Sequence, residues 1–224
     1  MRIVAVVFML IILLGLFINA GRQIYLWLML LFKGMNQPMF SVFFGLLVLA
    51  VLVGFVVSRI PGLGAYRTLF LIDHYALGAL AYVVIVTNTV SLLLYAARLV
   101  HLIQAPTPRS VQMISAALSL FLVTGLTVYG TVHAANIQTR RYNVRIGPEQ
   151  GKMDTLRLVL LSDIHLGYVI EEKHLAKVVA AVNVLKPDII CIAGDIFDGD
   201  ITSLSNPEKL QALFRKMESG YGVF

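Results

Sequence analysis

Long apolar stretches dominate residues 1–133 of the chain. Four of them are free of charged residues, apart from a terminal arginine in the third, and they cover residues 3–21, 39–58, 75–98 and 110–132. A helix needs about 20 apolar residues to cross the hydrocarbon core of a bilayer, so each stretch predicts a membrane-spanning helix. The apolar segment 23–32 is too short to span alone and contains Tyr25 and Trp27. It predicts either a helix at the membrane interface or the end of a longer, tilted first helix.

Polar residues in the third stretch have two interpretations. Asp73 and His74 directly precede it, and Asn88 lies deep within it. Ionisable groups inside a membrane are candidates for function. The simpler interpretation is that Asp73 and His74 cap the start of the third helix at the level of the headgroups. For Asn88 the corresponding prediction is a hydrogen bond to a neighbouring helix.

The pattern changes after a polar, basic linker at residues 134–155. Short apolar runs at residues 156–161 and 189–193 flank a stretch, 171–185, whose apolar residues recur on one helical face. This order predicts two buried parallel strands joined by a helical crossover.

Three further elements are predicted around this unit. The dipeptide Asn206-Pro207 predicts the start of a second helix that runs to about Met217, because proline is favoured in the first helical turn. Residues 221–224 predict the start of a third strand. The alternating residues 142–146, within the linker, predict a short strand at the edge of the same sheet.

The composition excludes an ordinary soluble globular protein. Hydrophobic residues make up 58% and charged residues 13% of the chain, and the mean hydropathy is +0.84, whereas soluble domains average about 25% charged residues. The predicted fold class is therefore an N-terminal all-α transmembrane helix bundle followed by an α/β domain. Residues 1–133 are expected to form the transmembrane domain with about four spans, residues 134–155 the linker, and residues 156–224 the α/β part.

The charge is distributed unevenly along the chain. Residues 1–153 contain eleven Lys and Arg residues against two acidic residues, while residues 154–224 contain seven against ten. The basic excess therefore lies at the predicted membrane boundary, where anionic headgroups attract it, and the lipid bilayer is an expected partner. The α/β part lacks interleaved basic and aromatic residues, so we expect no nucleic-acid binding.

Lysines and arginines in short loops predict the orientation in the membrane. With four spans, six of these residues lie on the side of the N-terminus and the α/β part, and four lie on the other side. The first group includes Arg59 and Arg67, in the connection between the second and third spans. This distribution favours a multi-pass protein of the plasma (inner) membrane whose α/β part is cytoplasmic.

Polar residues follow both central strands at the points where the strands end. Asp163 and His165 come directly after the first strand, and Asp195 follows the second. Because the carboxyl ends of parallel strands meet at one edge of the sheet, where open α/β folds bind ligands, we expect these side chains to lie close together. Carboxylate oxygens and imidazole nitrogens are ligands for divalent cations. The sequence therefore predicts a metal site at this edge.

Two motifs resemble the first signature blocks of the calcineurin-like metallophosphoesterases, in a branch anchored by N-terminal transmembrane helices. They are Asp163-x-His165 and Gly194-Asp195-x-x-Asp198. The resemblance implies part of a four-layer α/β/β/α sandwich and a centre of two divalent metal ions, which are Mn, Fe, Zn or Mg. It also implies that Asp163 and His165 bind the first metal and that Asp195 bridges both metals. Gly194 and Asp198 would support the site, the first by letting the backbone pass close to the metals.

The family resemblance also predicts the function. The reaction it implies is hydrolysis of a phosphomonoester, phosphodiester or pyrophosphate, and the membrane helices favour a lipid-linked substrate. Family members continue with Gly-Asn-His and Gly-His-x-His motifs, neither of which occurs in the 224 residues. We therefore expect a chain truncated after the second block, with the catalytic His beyond Phe224, that is inactive by itself. The alternative is a non-enzymatic membrane protein with a decayed phosphoesterase segment.

Overall fold

Long apolar helices precede a small α/β region. A computed structural model describes residues 2–60, 66–145, 147, 155–167, 169–198, 204 and 206–224. Within these residues the elements, in chain order, are α1 (Arg2–Leu31), α2 (Gln37–Val57), α3 (Arg67–Leu99), α4 (Arg109–Ala134), β1 (Leu158–Ser162), α5 (Glu172–Leu185), β2 (Ile189–Ala193) and α6 (Pro207–Phe214). The predicted fold class, a helical membrane region followed by a partial α/β domain, is confirmed.

The chain divides into two compact units. One comprises Met1–Phe55 and Asp73–Thr131, and the other comprises Val56–Ile72 and Val132–Phe224. The second unit therefore contains the connection between α2 and α3 as well as the α/β part of the chain.

The helices α1–α4 have the length and composition of membrane-spanning helices, and among the described residues they are the four that do. Many of their large apolar side chains are exposed, as with Ile3 at 80% and Phe121 at 73%. A continuous apolar surface of this kind is suited to contact with lipid. The predicted membrane region is therefore present as helices.

The first helix is longer than the apolar stretch that predicted it. It continues through Arg22 and ends at Leu31, so the prediction of a separate interfacial helix at residues 23–32 is wrong. Its 30 residues correspond to roughly 45 Å at a rise of about 1.5 Å per residue, which exceeds a hydrocarbon core of about 30 Å. The helix therefore tilts in the bilayer or extends beyond the hydrocarbon core, as the longer-helix alternative requires.

An amide pair joins α1 to α3. Asn19 Nδ2 donates to Asn88 Oδ1 at 2.9 Å. Asn88 Nδ2 in turn donates to the backbone carbonyls of Leu16 at 3.1 Å and Val84 at 2.7 Å. Because hydrocarbon offers no water to satisfy these groups, pairing between helices stabilises their burial. The predicted interhelical role of Asn88 is confirmed.

Asp73 does not cap α3, because the helix begins earlier, at Arg67. Its carboxylate packs against Gly54 of α2, where an added Cβ atom would lie 2.7 Å from Asp73 Cγ. The ring of the next residue, His74, lies 5.6 Å from the ring of Phe55. The predicted cap is therefore wrong, and both side chains instead contribute to the packing of α3 on α2.

The sheet of the second unit is built on β1 and β2. They pair in parallel, with Ser162 opposite Ala193, and α5 connects them as predicted. On the other side of β2, Val223 forms a parallel bridge to Ile190, and the N–H of Ile192 donates to the Phe224 carbonyl at 2.7 Å. The C-terminal residues therefore begin to pair as a third strand, in agreement with the sequence.

The predicted edge strand at residues 142–146 is wrong for its described part. Residues 142–145 have no strand structure, and Ile146 lies outside the described residues. The side chains of Tyr142 and Val144 are both 81% exposed. Alternation stabilises a strand when one face is buried against a neighbour, and these residues have no such buried face.

The core of the second unit lies between the sheet and helices α5 and α6. Its buried residues are Leu166, Leu175, Val178, Val179, Val182, Ile190, Leu204, Leu210 and Met217. The apolar face of α5 packs into this core, and the helix ends at Lys186 in a left-handed conformation. On β1, Leu158 and Leu160 are 52% and 61% exposed. Within the described residues, this face of β1 is therefore uncovered.

We expect Asn88→Leu to destabilise the helical unit by about 0.6–1.7 kcal/mol, the range for hydrogen bonds between membrane helices. The substitution leaves Asn19 without its partner on α3. Reversible unfolding in mixed detergent micelles measures the free energy.

Thr131→Val is the control, because Thr131 Oγ1 bonds to the Thr127 carbonyl within its own helix, and it should change stability less. The double variant Asn19→Leu/Asn88→Leu measures the coupling of the two amides. If its loss of stability equalled the sum of the two single losses, the amides would not be coupled and the pairing would be refuted.

Candidate metal centre

The predicted site residues lie at the carboxyl ends of β1 and β2. The backbone pairing continues beyond the strands, since Asp163 N–H donates to the Ala193 carbonyl and His165 N–H donates to the Asp195 carbonyl, both at 3.1 Å. These bonds tie the turn after β1 to the end of β2 and to the turn that follows it. The structure thus brings Asp163, His165 and Asp195 to one edge of the sheet, where all three are exposed.

The turn after β1 is strained. Asp163 and His165 adopt left-handed backbone conformations, with φ of 52° and 50°, which costs about 1–2 kcal/mol for each residue that has a side chain. The two backbone hydrogen bonds to Ala193 and Asp195 hold this conformation in place. Strain that the surrounding structure imposes is concentrated at functional sites, so the turn is a candidate for function.

Gly194 leaves the space that the Asp163 carboxylate occupies. Its φ is +76°, and a Cβ atom added here would lie 3.0 Å from Asp163 Cγ and would overlap Oδ1. The N–H of the next residue, Asp195, donates to Asp163 Oδ1 at 3.3 Å. Glycine is therefore required at this position both for its backbone conformation and for the close approach of the carboxylate.

Two hydrogen bonds favour the ionised form of Asp163. The Ser162 hydroxyl and, secondly, the Asp195 N–H donate to the carboxylate and hold the pKa of Asp163 below its ordinary value, and the charge of His165 acts in the same direction. Because the ordinary value is already acidic, Asp163 is an anion at neutral pH. Ser162 was not a predicted site residue, since a lone serine at a strand end carries no specific signal.

The donor set fits a divalent cation by its chemistry and by its backbone placement. It offers two carboxylates and one imidazole at an exposed edge, which are ligands that such ions accept. As the side chains are arranged, no three His, Cys, Asp or Glu residues in the described part of the chain are close enough to hold a metal ion. Ligation would therefore require exposed side chains at this edge to change rotamer.

Two acidic residues near this edge pair with arginines shortly after α2 and at the start of α3, within the second compact unit. Arg59 Nη1 lies 3.1 Å from Asp198 Oδ1, and Arg67 Nη2 lies 2.7 Å from Glu171 Oε1. The N–H of Asp198 also donates to the Leu166 carbonyl at 2.8 Å. In the sequence, both arginines served only to predict the orientation of the chain in the membrane. No sequence pattern connects them to these distant loops.

Comparison with known proteins identifies the segment that forms this edge. Residues 156–220 match the calcineurin-like phosphoesterases. This segment is therefore similar to that family over about the last third of the chain. Calcineurin-like phosphoesterases generally use a dinuclear metal centre, which agrees with the carboxylate and imidazole donors found at the edge.

The relatives of the chain include membrane proteins. A zebrafish (Danio rerio) protein named "Transmembrane protein with metallophosphoesterase domain" is 40% identical over 89 residues, which is 39% of this chain and 20% of that protein. The bovine (Bos taurus) protein of the same name is 36% identical over 91 residues, with the same two shares. An uncharacterized metallophosphoesterase of Campylobacter jejuni is 32% identical over 110 residues, 48% of this chain and 28% of that protein.

The matched part of the chain therefore spans between 20% and 28% of the length of these curated relatives. No solved structure matches the chain.

We expect Gly194→Ala to weaken Mn²⁺ binding by about tenfold or more. Substitution of residues that support metal ligands typically lowers the metal affinity by about 10-fold to 100-fold. The added methyl group displaces the Asp163 carboxylate, and the left-handed backbone is strained for alanine. Isothermal titration calorimetry of the chain in detergent micelles measures the affinity.

Gly220→Ala is the matched control, because a Cβ atom at that position would meet its nearest neighbour at 3.6 Å, an ordinary contact. If the two variants bound Mn²⁺ equally well, the close approach at Gly194 would have no role in the site.

Proposed function

We propose that the protein is an integral-membrane, metal-dependent phosphoesterase that hydrolyses phosphomonoester, phosphodiester or pyrophosphate bonds through two divalent metal ions. One observation carries the proposal. In a segment that matches the calcineurin-like phosphoesterases, the ionised carboxylate of Asp163 lies across Gly194 and accepts from the N–H of Asp195. The charged carboxylate of Asp163, which follows β1, is therefore hydrogen-bonded to the backbone of Asp195, the candidate ligand that follows β2.

In this proposal each site residue has a defined task. Asp163 and His165 would hold one divalent ion, and Asp195 would be shared with a second ion. Gly194 leaves room for the Asp163 carboxylate, and Asp198 fixes the loop after β2 through its backbone bond to the loop after β1. Bound Mn, Fe, Zn or Mg ions would polarise a phosphoryl oxygen and lower the pKa of water for attack on phosphorus.

The membrane helices support a substrate at the bilayer surface. Helices α1–α4 have surfaces suited to lipid, and anchoring confines the phosphoesterase segment to the neighbourhood of the headgroups. We favour a phosphate ester linked to a lipid. Nucleic acid is disfavoured because residues 154–224 carry more acidic than basic residues. The excess of Lys and Arg on the side of the N-terminus favours the cytoplasmic face of the plasma (inner) membrane.

We expect the purified chain to bind Mn²⁺ weakly, and Asp163→Ala and Asp195→Ala each to reduce the affinity by at least about tenfold. Each substitution removes one carboxylate ligand from a small donor set. Titration calorimetry in detergent micelles provides the affinities.

The matched control is Glu218→Gln, which removes a carboxylate near the C-terminal end of α5, where the Glu218 N–H bonds to Asn183 Oδ1. If wild type bound no Mn²⁺, or if both Asp variants bound it as tightly as Glu218→Gln, the metal centre would be refuted. A non-enzymatic membrane protein would then be the better account.

We expect no turnover of p-nitrophenyl phosphate or its bis-ester by this chain alone in the presence of Mn²⁺. Its 224 residues supply the first two family motifs and not the Gly-Asn-His or Gly-His-x-His motifs, so the proposed ligand set is incomplete. The assay is release of p-nitrophenolate, with Asp195→Ala as the reference for background hydrolysis. Clear turnover that disappears in Asp195→Ala would contradict this prediction.

A further inference from the structure

Two arginines, one shortly after α2 and one at the start of α3, contact the loops that follow the central strands. Arg67, the first residue of α3, pairs with Glu171, the N-cap residue of α5, which ends the loop after β1. Arg59, two residues after the end of α2, pairs with Asp198 in the loop after β2. Both pairs lie within the compact unit that contains Val56–Ile72 and the phosphoesterase segment. A segment outside the family match is therefore in contact with the edge that carries the candidate metal ligands.

We propose that Arg59 is a positioning residue for this edge, that it acts through Asp198, and that Arg67 assists it through Glu171. The role of Arg59 towards a metal ion rests on the proposed function. Its role in holding the two loops together does not.

The path from Arg59 to the candidate ligands consists of direct contacts. Asp198 Oδ1 lies 3.1 Å from Arg59 Nη1, and the Asp198 N–H donates to the Leu166 carbonyl at 2.8 Å. Leu166 directly follows His165, and its own N–H donates to the Ile196 carbonyl at 2.8 Å. A displacement of Asp198 would therefore move the backbone next to His165.

The packing at Gly167 makes the loops sensitive to such a displacement. A Cβ atom added at Gly167 would lie 3.1 Å from the Cβ atom of Asp198, so the two backbones approach closely here. At this contact neither loop has room to move towards the other. Arg59 therefore acts on two coupled loops and not on a single side chain.

Charge explains why arginines are needed at these positions. Asp163, Asp195, Asp198 and Glu171 place four carboxylates on the two loops, and like charges repel one another. The Asp198 and Arg59 side chains are 33% and 45% exposed, so water screens their pair and its contribution is small. The Arg67 and Glu171 side chains are 24% and 31% exposed, so water screens this pair as well, though less than the pair of Arg59 with Asp198.

Positioning and plain electrostatics predict opposite effects on metal binding. If Arg59 acted as a nearby positive charge, its removal would strengthen the binding of a cation. If Arg59 positions the loops, its removal disorders the ligand edge and weakens binding. The sign of the change therefore separates the two roles.

The test compares the full chain in detergent micelles with Arg59→Ala, Arg59→Lys and Arg215→Ala. Arg215 is an exposed arginine at the end of α6. The next residue, Lys216, accepts from Asn183 at the far end of α5, so Arg215→Ala removes a positive charge away from the edge. Hydrogen exchange of the Leu166 and Asp198 amides is measured without metal, and the Mn²⁺ affinity is measured separately.

In Arg59→Ala we expect both amides to exchange about 1.4-fold to fivefold faster, the factor that corresponds to an exposed ion pair. The Val179 amide in α5 should be unchanged, which shows that the unit stays folded. The dissociation constant for Mn²⁺ should rise by a similar factor. Arg59→Lys should restore both values in large part, and Arg215→Ala should resemble wild type.

Unchanged exchange at Leu166 and Asp198 in Arg59→Ala would overturn the proposal, and so would tighter Mn²⁺ binding. If wild type bound no Mn²⁺, the proposed function would fail together with the metal role of Arg59. Faster exchange in Arg59→Ala would then still support the part of the proposal that concerns the loops, so the two failures are distinguishable.

Discussion

The parallel pairing of β1 with β2 is the interaction on which the candidate site depends. The hydrogen bonding does not stop where β1 stops. The Asp163 N–H donates to the carbonyl of Ala193, the last residue of β2, and the N–H groups of His165 and Leu166 donate to carbonyls that follow β2. This extension holds two residues in left-handed conformations and carries the Asp163 carboxylate over Gly194. Without the pairing, the three candidate ligands would belong to two unrelated loops.

The membrane helices obey a different physical rule. Apolar surface costs nothing in contact with lipid, so the large side chains of α1–α4 remain exposed to their surroundings. Specific contacts are instead made by a few polar groups and by glycine. The amide pair of Asn19 and Asn88 and the contact of Asp73 with Gly54 are two examples within the helical unit.

The sequence predicted the elements wherever a long periodic pattern existed. The apolar face of α5 is visible in the spacing of its valines and leucines, and the helix begins one residue after the predicted start. The short alternating pattern at residues 142–146 wrongly predicted a strand. Its described residues, 142–145, are all exposed, so neither face is buried against a neighbour. For the end of α1 the sequence left two alternatives, and the longer helix is the one observed, because Arg22 interrupts the hydropathy without interrupting the helix.

The site was predictable in part. Strand ends rich in Asp and His indicated one shared edge, and the structure brings these residues together at the backbone level. The hydroxyl of Ser162 and the pair of Arg59 with Asp198 were not predictable. The first is too common a residue to stand out, and the second joins residues 139 positions apart (198 − 59). Contacts of that range depend on the tertiary fold and leave no local pattern.

The central claim is that these strand ends bind a divalent cation through Asp163, His165 and Asp195. Electron spin-echo measurements on Mn²⁺ bound to the chain test it directly, because a nitrogen ligand modulates the echo of the metal. We predict that one imidazole nitrogen modulates the echo, and that this modulation disappears in His165→Gln and persists in His174→Gln. Modulation that survives in His165→Gln, or none in wild type, would contradict the account.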